Sequence, residues 1–145
     1  MHPKRLLVPF CLLLATANCW ALEDLGRGEA WEGASSRVSM AIIGQQGDAN
    51  QAVLDQTGKG HLAVSRQEGS NNQANLRQQG QEAQLEVLQQ GANNQAQISQ
   101  TGRASAVSLV QVGSNNQAVV SLTANGQRVG VGQYGDGGRV KVTQR

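Results

Sequence analysis

The chain has 145 residues and nearly balanced charge, with 12 lysines and arginines against 10 aspartates and glutamates. Aromatic residues make up 3% of it, which is too few for the core of an ordinary globular domain. A small basic excess without interleaved aromatic residues also speaks against a nucleic-acid-binding protein.

Residues 1–21 are typical of a secretory signal peptide. A basic start precedes an apolar stretch at residues 6–14, which is too short to span a membrane, and small residues then suit cleavage after Ala21. Cleavage after Ala17 is an alternative, and lipidation of Cys19 is a third interpretation that its flanking residues disfavour. Cleavage after Ala21 leaves a chain of zero net charge without cysteine, so we expect its stability to come from backbone pairing or assembly instead of disulfides.

Residues 22–37 carry no repeat, and beyond them the motif Gln-x-Gly recurs every 11 residues. A fixed period indicates a repeat architecture. One copy is degenerate, with Leu122 and Ala124 in place of glutamine and glycine, and Gln144 begins the last copy. Each glycine is predicted to lie at a turn, because glycine adopts positive φ at little cost. These turn glycines are Gly47, Gly58, Gly69, Gly80, Gly91, Gly102, Gly113 and Gly135.

The 11-residue period is half of a 22-residue unit, since asparagine follows the glycine by three residues only in alternate copies. Apolar and polar residues alternate within each half, as in Asn94-x-Ala96-x-Ile98, which is the pattern of a β-strand. A helix is excluded because glycine interrupts every candidate segment. Five strand–turn–strand units are predicted within residues 38–145, at 39–56, 61–78, 83–100, 105–122 and 127–144.

Stacking of these units is required, because two short strands cannot bury a core alone. We therefore predict an all-β fold, a two-sheet β-solenoid of five 22-residue repeats, with successive repeats about 4.8 Å apart as in cross-β amyloid. Inward glutamines and asparagines would form amide ladders, because a carboxamide carries both a donor and an acceptor. The predicted ladder residues are Gln45, Asn50, Gln56, Gln67, Asn72, Gln78, Gln89, Asn94, Gln100, Gln111, Asn116, Gln133 and Gln144.

The motif Gln-x-Gly-x-x-Asn-x-Ala-x-x-x-Gln resembles the curlin repeat of bacterial curli fibres, and it is complete at 45–56, 67–78 and 89–100. Within that family the likeness is greatest to the minor, nucleating subunit, on the basis of residues 41–45 and the basic ending 139–145. The resemblance extends over the five predicted units and leaves out the first 37 residues.

The resemblance implies a secreted subunit at the extracellular surface of a Gram-negative bacterium, associated with the outer membrane. Such a subunit nucleates polymerisation of the major curlin into amyloid fimbriae, or pili, that serve adhesion and biofilm formation. The implied partners are the major curlin subunit, further copies of the same chain, and the outer-membrane secretion and accessory proteins of curli. No cofactor, nucleic acid or small-molecule substrate is expected. The alternatives are the major subunit itself and a non-amyloid secreted β-solenoid that acts as an adhesin or binding module.

Units four and five depart most from the motif, with Leu122 for glutamine, Gly138 for asparagine and Val140 for alanine. The resemblance implies that the last unit serves surface attachment or nucleation. Its basic residues could contact anionic lipopolysaccharide or an accessory protein, or they could act as gatekeepers that slow uncontrolled stacking. These candidate attachment or nucleation residues are Arg128, Arg139, Lys141 and Arg145.

Catalysis is not expected, because an enzyme needs titratable groups that converge in a pocket, and two thin sheets closed by alanine offer none. His61 is the one histidine after the predicted cleavage site. It lacks partners for a metal site or a catalytic pair, so we expect it to be a solvated turn residue.

Overall fold

The structure, a computed structural model, describes residues 38–145. The predicted signal peptide, 1–21, and the unrepeated segment 22–37 lie outside the described residues. The strands of the described region are β1 (Met40–Asp48), β2 (Gln51–Lys59), β3 (Leu62–Ser70), β4 (Gln73–Gln81), β5 (Gln84–Ala92), β6 (Gln95–Arg103), β7 (Ala106–Ser114), β8 (Gln117–Thr123), β9 (Arg128–Tyr134) and β10 (Arg139–Gln144).

The chain alternates between two parallel sheets of five strands each. The odd-numbered strands form the first sheet in the order β1-β3-β5-β7-β9, and the even-numbered strands form the second in the order β10-β8-β6-β4-β2. Paired residues are 22 positions apart, as for Gln45 beside Gln67 and Gln56 beside Gln78. The predicted two-sheet β-solenoid of five 22-residue turns is therefore confirmed. Each turn is a rung, numbered one to five from the N-terminal end.

Each strand turns one face inward because apolar and polar residues alternate along it. In β6, for example, Ala96, Ile98 and Gln100 are buried, while the residues between them are exposed. Residues of the same kind stack on successive rungs and form columns through the core. One of these columns consists of alanines, whose small side chains occupy little space between the sheets. These alanines are Ala52, Ala74, Ala96 and Ala118.

The core is most completely buried in the middle rungs. Leu76 and Leu109 are fully buried, whereas Leu54 in the first rung and Val142 in the fifth are partly buried. The first and last rungs therefore leave some of their apolar surface uncovered, because each has a neighbouring rung on one side within the described residues.

The corners between strands differ from the prediction in one respect. The eight predicted turn glycines do have positive φ, between 102° and 138°. Seven of them, however, are the penultimate residue of a strand, and the corner itself lies two residues later. At these corners φ is between 52° and 71°, in the left-handed region. The corner residues are Ala49, Gly60, Asn71, Glu82, Asn93, Ala104, Asn115, Gly126 and Gly137.

Glycine is required before the corner by the close approach of neighbouring rungs as well as by its φ. A Cβ added at Gly69 would collide with the backbone oxygen of Gly91, and one added at Gly91 would collide with that of Gly113. The Gln-x-Gly period therefore reflects a backbone-to-backbone contact that recurs from rung to rung.

Candidate functional site

The inward glutamines of the first sheet form a continuous amide ladder. Gln45, Gln67, Gln89, Gln111 and Gln133 stack in one column, and each Nε2 donates to the Oε1 of the next at 2.7–2.9 Å. The three middle glutamines are 0% exposed. Their burial costs little because every carboxamide has both a donor and an acceptor satisfied.

The same carboxamides also tie the first sheet to the second. Gln67 donates through Nε2 to the backbone carbonyl of Gln51 at 3.0 Å, and Gln89 donates to that of Gln73 at 3.1 Å. The contact recurs on the two rungs above at 3.2 Å. One column of side chains thus hydrogen-bonds each rung to the next and the first sheet to the second.

The corresponding ladder of the second sheet is interrupted. Gln56 donates to Gln78 at 2.8 Å, and Gln78 donates to Gln100 at 3.3 Å. The next residue in the column is Leu122, which is fully buried and cannot accept a hydrogen bond. Gln100 donates instead to the hydroxyl of Ser105 at 3.1 Å. The ladder of this sheet therefore links rungs one to three and stops below rung four.

Gln144, which was predicted to continue this column, makes a different contact. Its Nε2 donates to the side-chain oxygen of Gln127 at 2.8 Å, within the fifth rung. The bond lies on the exposed side of the molecule.

A column of asparagines holds one corner of the solenoid. The Oδ1 of Asn72 accepts the backbone N–H of Asn94 at 3.1 Å, and its Nδ2 donates to the backbone carbonyl of Gly91 at 2.9 Å. Asn50, Asn94 and Asn116 make the same two contacts to the rung above them. Each asparagine thereby satisfies a backbone donor and a backbone acceptor that the turn leaves without a strand partner.

His61 lies in the equivalent column at the opposite corner, and the prediction of a solvated residue is wrong. The side chain is 1% exposed. Its Nδ1 accepts the backbone N–H of Ala83 at 3.3 Å, and its Nε2 lies 3.2 Å from the carbonyl of Thr57. Ser39 has the same role on the rung below, where its hydroxyl accepts the backbone N–H of His61 at 3.2 Å. An acceptor side chain at this place in the period was the signal that sequence reasoning missed.

The four basic candidate residues do not form one cluster. Arg139 and Lys141 are exposed on β10, in the second sheet, whereas Arg128 is exposed on β9, in the first. Arg145 is exposed directly after β10. The basic charge is therefore spread around the fifth rung on both outer faces. On the outer face, Asp55 and Arg77 of neighbouring rungs lie 3.9 Å apart, with both side chains more than half exposed.

The two ends of the stack are chemically different. The inward glutamines donate from each rung to the rung of higher number, as the bonds from Gln45 and Gln56 illustrate. Within residues 38–145, the edge formed by β1 and β2, the lower edge, therefore presents side-chain oxygens, those of Gln45 and Gln56. The edge formed by β9 and β10, the upper edge, presents the side-chain nitrogen of Gln133. An unpaired strand edge is a template for further strands.

Within residues 38–145, no three histidine, cysteine or acidic side chains are grouped so as to hold a metal ion. No helix in this region of the chain is long and apolar enough to cross a membrane. The described residues carry repeated columns of side chains that hydrogen-bond the backbone, and two strand edges.

Comparison with known proteins gives the family. The sequence matches the family described as the curlin associated repeat over residues 39–64, 47–80 and 102–145. These segments make up more than half of the chain, which therefore belongs to the curlin-repeat family. Family and fold are structural, not enzymatic, and they imply a secreted extracellular fibre subunit that assembles with other curlin subunits. No curated protein and no solved structure matches the chain.

Proposed function

We propose that this chain is the minor, nucleating subunit of curli, held at the bacterial surface, where it templates the major curlin into amyloid fibres. The observation that carries the proposal is the contrast between the two halves of the stack. In rungs one to three the glutamine ladders of both sheets and the asparagine column are unbroken. In rungs four and five the ladder of the second sheet is interrupted at Leu122 and the asparagine column ends at Gly138, while the ladder of the first sheet continues to Gln133.

The regular rungs suit templating, because a regular edge offers an incoming curlin repeat the hydrogen-bond partners that its own rungs use. The irregular rungs suit attachment, because a bulk fibre subunit would need both edges to stack equally well. The exposed basic residues of the fifth rung supply charge for an anionic surface or an accessory protein. They are Arg128, Arg139, Lys141 and Arg145.

A seeding experiment tests the templating half of the proposal. Preassembled chain, residues 22–145, should shorten the lag time of Thioflavin T fluorescence when it is added to a purified major curlin subunit. Gln89→Glu should abolish this seeding, because a buried carboxylate cannot donate to Gln111 and would have to lose its charge or its solvation. Gln97→Glu is the matched control, since Gln97 is exposed on the same rung.

The result that would contradict templating is a chain that stays monomeric at high micromolar concentration and leaves the lag time unchanged. A chain that polymerises alone as readily as a major curlin would instead identify it as a bulk fibre subunit. Equal seeding by the Gln89 and Gln97 variants would show that the ladders are not the template.

A cell-surface experiment tests the attachment half. Deletion of residues 127–145 should release the protein from cells or abolish seeding, because it removes the whole fifth rung. Replacement of the four basic residues by glutamine keeps the rung and removes only its positive charge. We expect this variant to seed normally but to be lost from the cell surface. Unchanged retention of both variants would exclude a special role for the fifth rung.

A further inference from the structure

The asparagine column ends at Gly138, in the last rung. The backbone N–H of Gly138 donates to the Oδ1 of Asn116 at 2.9 Å, and the Nδ2 of Asn116 donates to the carbonyl of Gly135 at 2.7 Å. The fifth rung is thus bound from below in the same way as rungs two to four. Gly138 itself has no carboxamide, so it cannot make these two contacts with a rung placed above it.

A second copy stacked in the same register would meet this gap. Continuing the 22-residue register beyond the fifth rung places the backbone N–H of Asn50 and the carbonyl of Gly47 of the second copy above the last rung. Inside the molecule, the equivalent groups of rungs three to five are bonded to an asparagine that is 0–1% exposed. At the junction of two copies they would be enclosed with no such partner, which is costly for backbone groups.

In the first sheet the other contacts of that junction are preserved. Gln133 would lie below Gln45 and extend the uninterrupted glutamine ladder of the first sheet. Val131 would lie below Ile43, an aliphatic residue below an aliphatic residue. The first sheet therefore continues across the junction. The second sheet brings Val140 below Ala52, and Gln144, which is bonded to Gln127, below Gln56.

We propose that Gly138 disfavours stacking of this chain on itself, and that the partner of its lower edge is a different curlin-repeat chain whose last rung carries asparagine at this corner. Such a partner supplies the carboxamide that Asn50 and Gly47 require. The lower edge, β1 and β2, is then the edge that templates a fibre, and the upper edge is not. This inference rests on the proposed function, in which subunits assemble by stacking their strand edges.

Restoring asparagine at the corner is the direct test. Gly138→Asn should lower the concentration of monomer left at the end of self-assembly about tenfold, since two hydrogen bonds of ordinary strength are gained per junction. The side chain requires two neighbouring side chains to move by a few tenths of an ångström, because an added Cβ would lie 3.0 Å from the Oδ1 of Asn116 and 3.3 Å from the Nε2 of Gln133. Gly138 is also outside the left-handed backbone region.

Two control variants separate the carboxamide from other effects. Gly130→Asn makes the same substitution in the same rung, at a position where an added Cβ meets nothing within 4 Å. Gly138→Ala adds the Cβ at the corner without the carboxamide. Both should leave the residual monomer concentration within about twofold of the unmodified chain. If Gly138→Asn behaves like either control, the inference is overturned.

A reciprocal experiment leaves this chain unchanged and so does not depend on the folding of any of its variants. A curlin-repeat partner with asparagine at the last corner is elongated from preassembled seeds of this chain, beside the same partner with that asparagine replaced by glycine. The glycine form should require about a tenfold higher concentration to elongate. Equal elongation would overturn the inference while leaving seeding intact, whereas failure of the unmodified partner to elongate at all would count against the proposed function.

Discussion

Buried glutamines such as Gln67 and Gln89, both 0% exposed, are unusual core residues, because an unsatisfied carboxamide loses its hydration without compensation. In this column, hydrogen bonds between stacked glutamines compensate for the lost hydration. The recurrence of glutamine at a fixed spacing was sufficient to predict the column from the sequence. The second bond of each carboxamide, to a backbone carbonyl of the other sheet, was not predictable, because it depends on the distance and offset between the sheets, which the period does not specify.

His61 illustrates the limit of reasoning from residue type. A lone histidine in a polar sequence suggests solvent exposure, yet its place in the period matters more than its chemistry. Ser39, His61 and Asn72 all present a side-chain acceptor to the backbone N–H of the rung above. Comparing His61 with Ser39, at the same place in the period, would have indicated this role, although Ala83 shows that the corner also accepts a residue without an acceptor.

Ser65 allows a prediction about single residues. It lies in an otherwise aliphatic column beside Ile43 and Val87, it is 2% exposed, and its hydroxyl has no hydrogen-bond partner among the described residues. Ser65→Val should therefore raise the free energy of unfolding by about 1–2 kcal/mol, measured by urea denaturation. Ser99→Val, at an exposed position of β6, controls for the strand propensity of valine. A gain no larger than that of the Ser99 variant would contradict the argument.

At the level of strands, the repeat degrades toward the C-terminal end. Strands β1 to β7 have nine residues each, whereas β8 and β9 have seven and β10 has six. The sequence predicted this order, because the motif departs from its consensus at Leu122 and Gly138. It did not predict the hydrogen bond from Gln100 to Ser105, because that bond joins a strand residue to a corner residue and not two residues 22 positions apart.

The interrupted ladder of the second sheet gives a prediction for this pair of strands. Ser105→Ala should lower the free energy of unfolding by about 1–3 kcal/mol, because the buried Nε2 of Gln100 loses its acceptor. Leu122→Gln would restore an acceptor within the column, so Ser105→Ala should cost less in that background. The coupling energy from the double-mutant cycle should be about 1 kcal/mol. If the effects of the two substitutions are additive, the side chain introduced at position 122 does not replace the Ser105 hydroxyl as the acceptor for Gln100.

At the level of the whole molecule, the period determined the architecture but not its corners. Parallel sheets, 22-residue register and inward columns all follow from a repeat that cannot bury a core alone. The left-handed corners two residues after each glycine do not follow, because alanine and glutamate occupy some of them and have no turn signature. Corner residues such as Asn71 and Glu82 donate their backbone N–H to a carbonyl of the rung below, a contact between rungs that residue type does not reveal.

Fibre diffraction tests the stacking of whole molecules. Aligned fibres of the assembled chain should give a meridional reflection at about 4.8 Å from the rung spacing and an equatorial reflection at about 10 Å from the sheet spacing. Because the five rungs are not identical, edge-to-edge stacking should add a weak axial repeat of about 24 Å. The unassembled chain serves as the control. Fibres with strands parallel to the fibre axis would be incompatible with growth through the strand edges.

The common direction of the inward carboxamides has an electrical consequence. Their dipoles add along the column, as peptide dipoles do in a helix, with the negative end at β1 and β2 and the positive end at β9 and β10. The formal charges have the same sense, since residues 38–102 carry five acidic and three basic side chains and residues 103–145 carry one acidic and five basic. The solenoid is thus an axial dipole, and two such molecules attract each other head to tail before their edges touch. Salt at physiological strength confines this alignment to separations of about 8 Å.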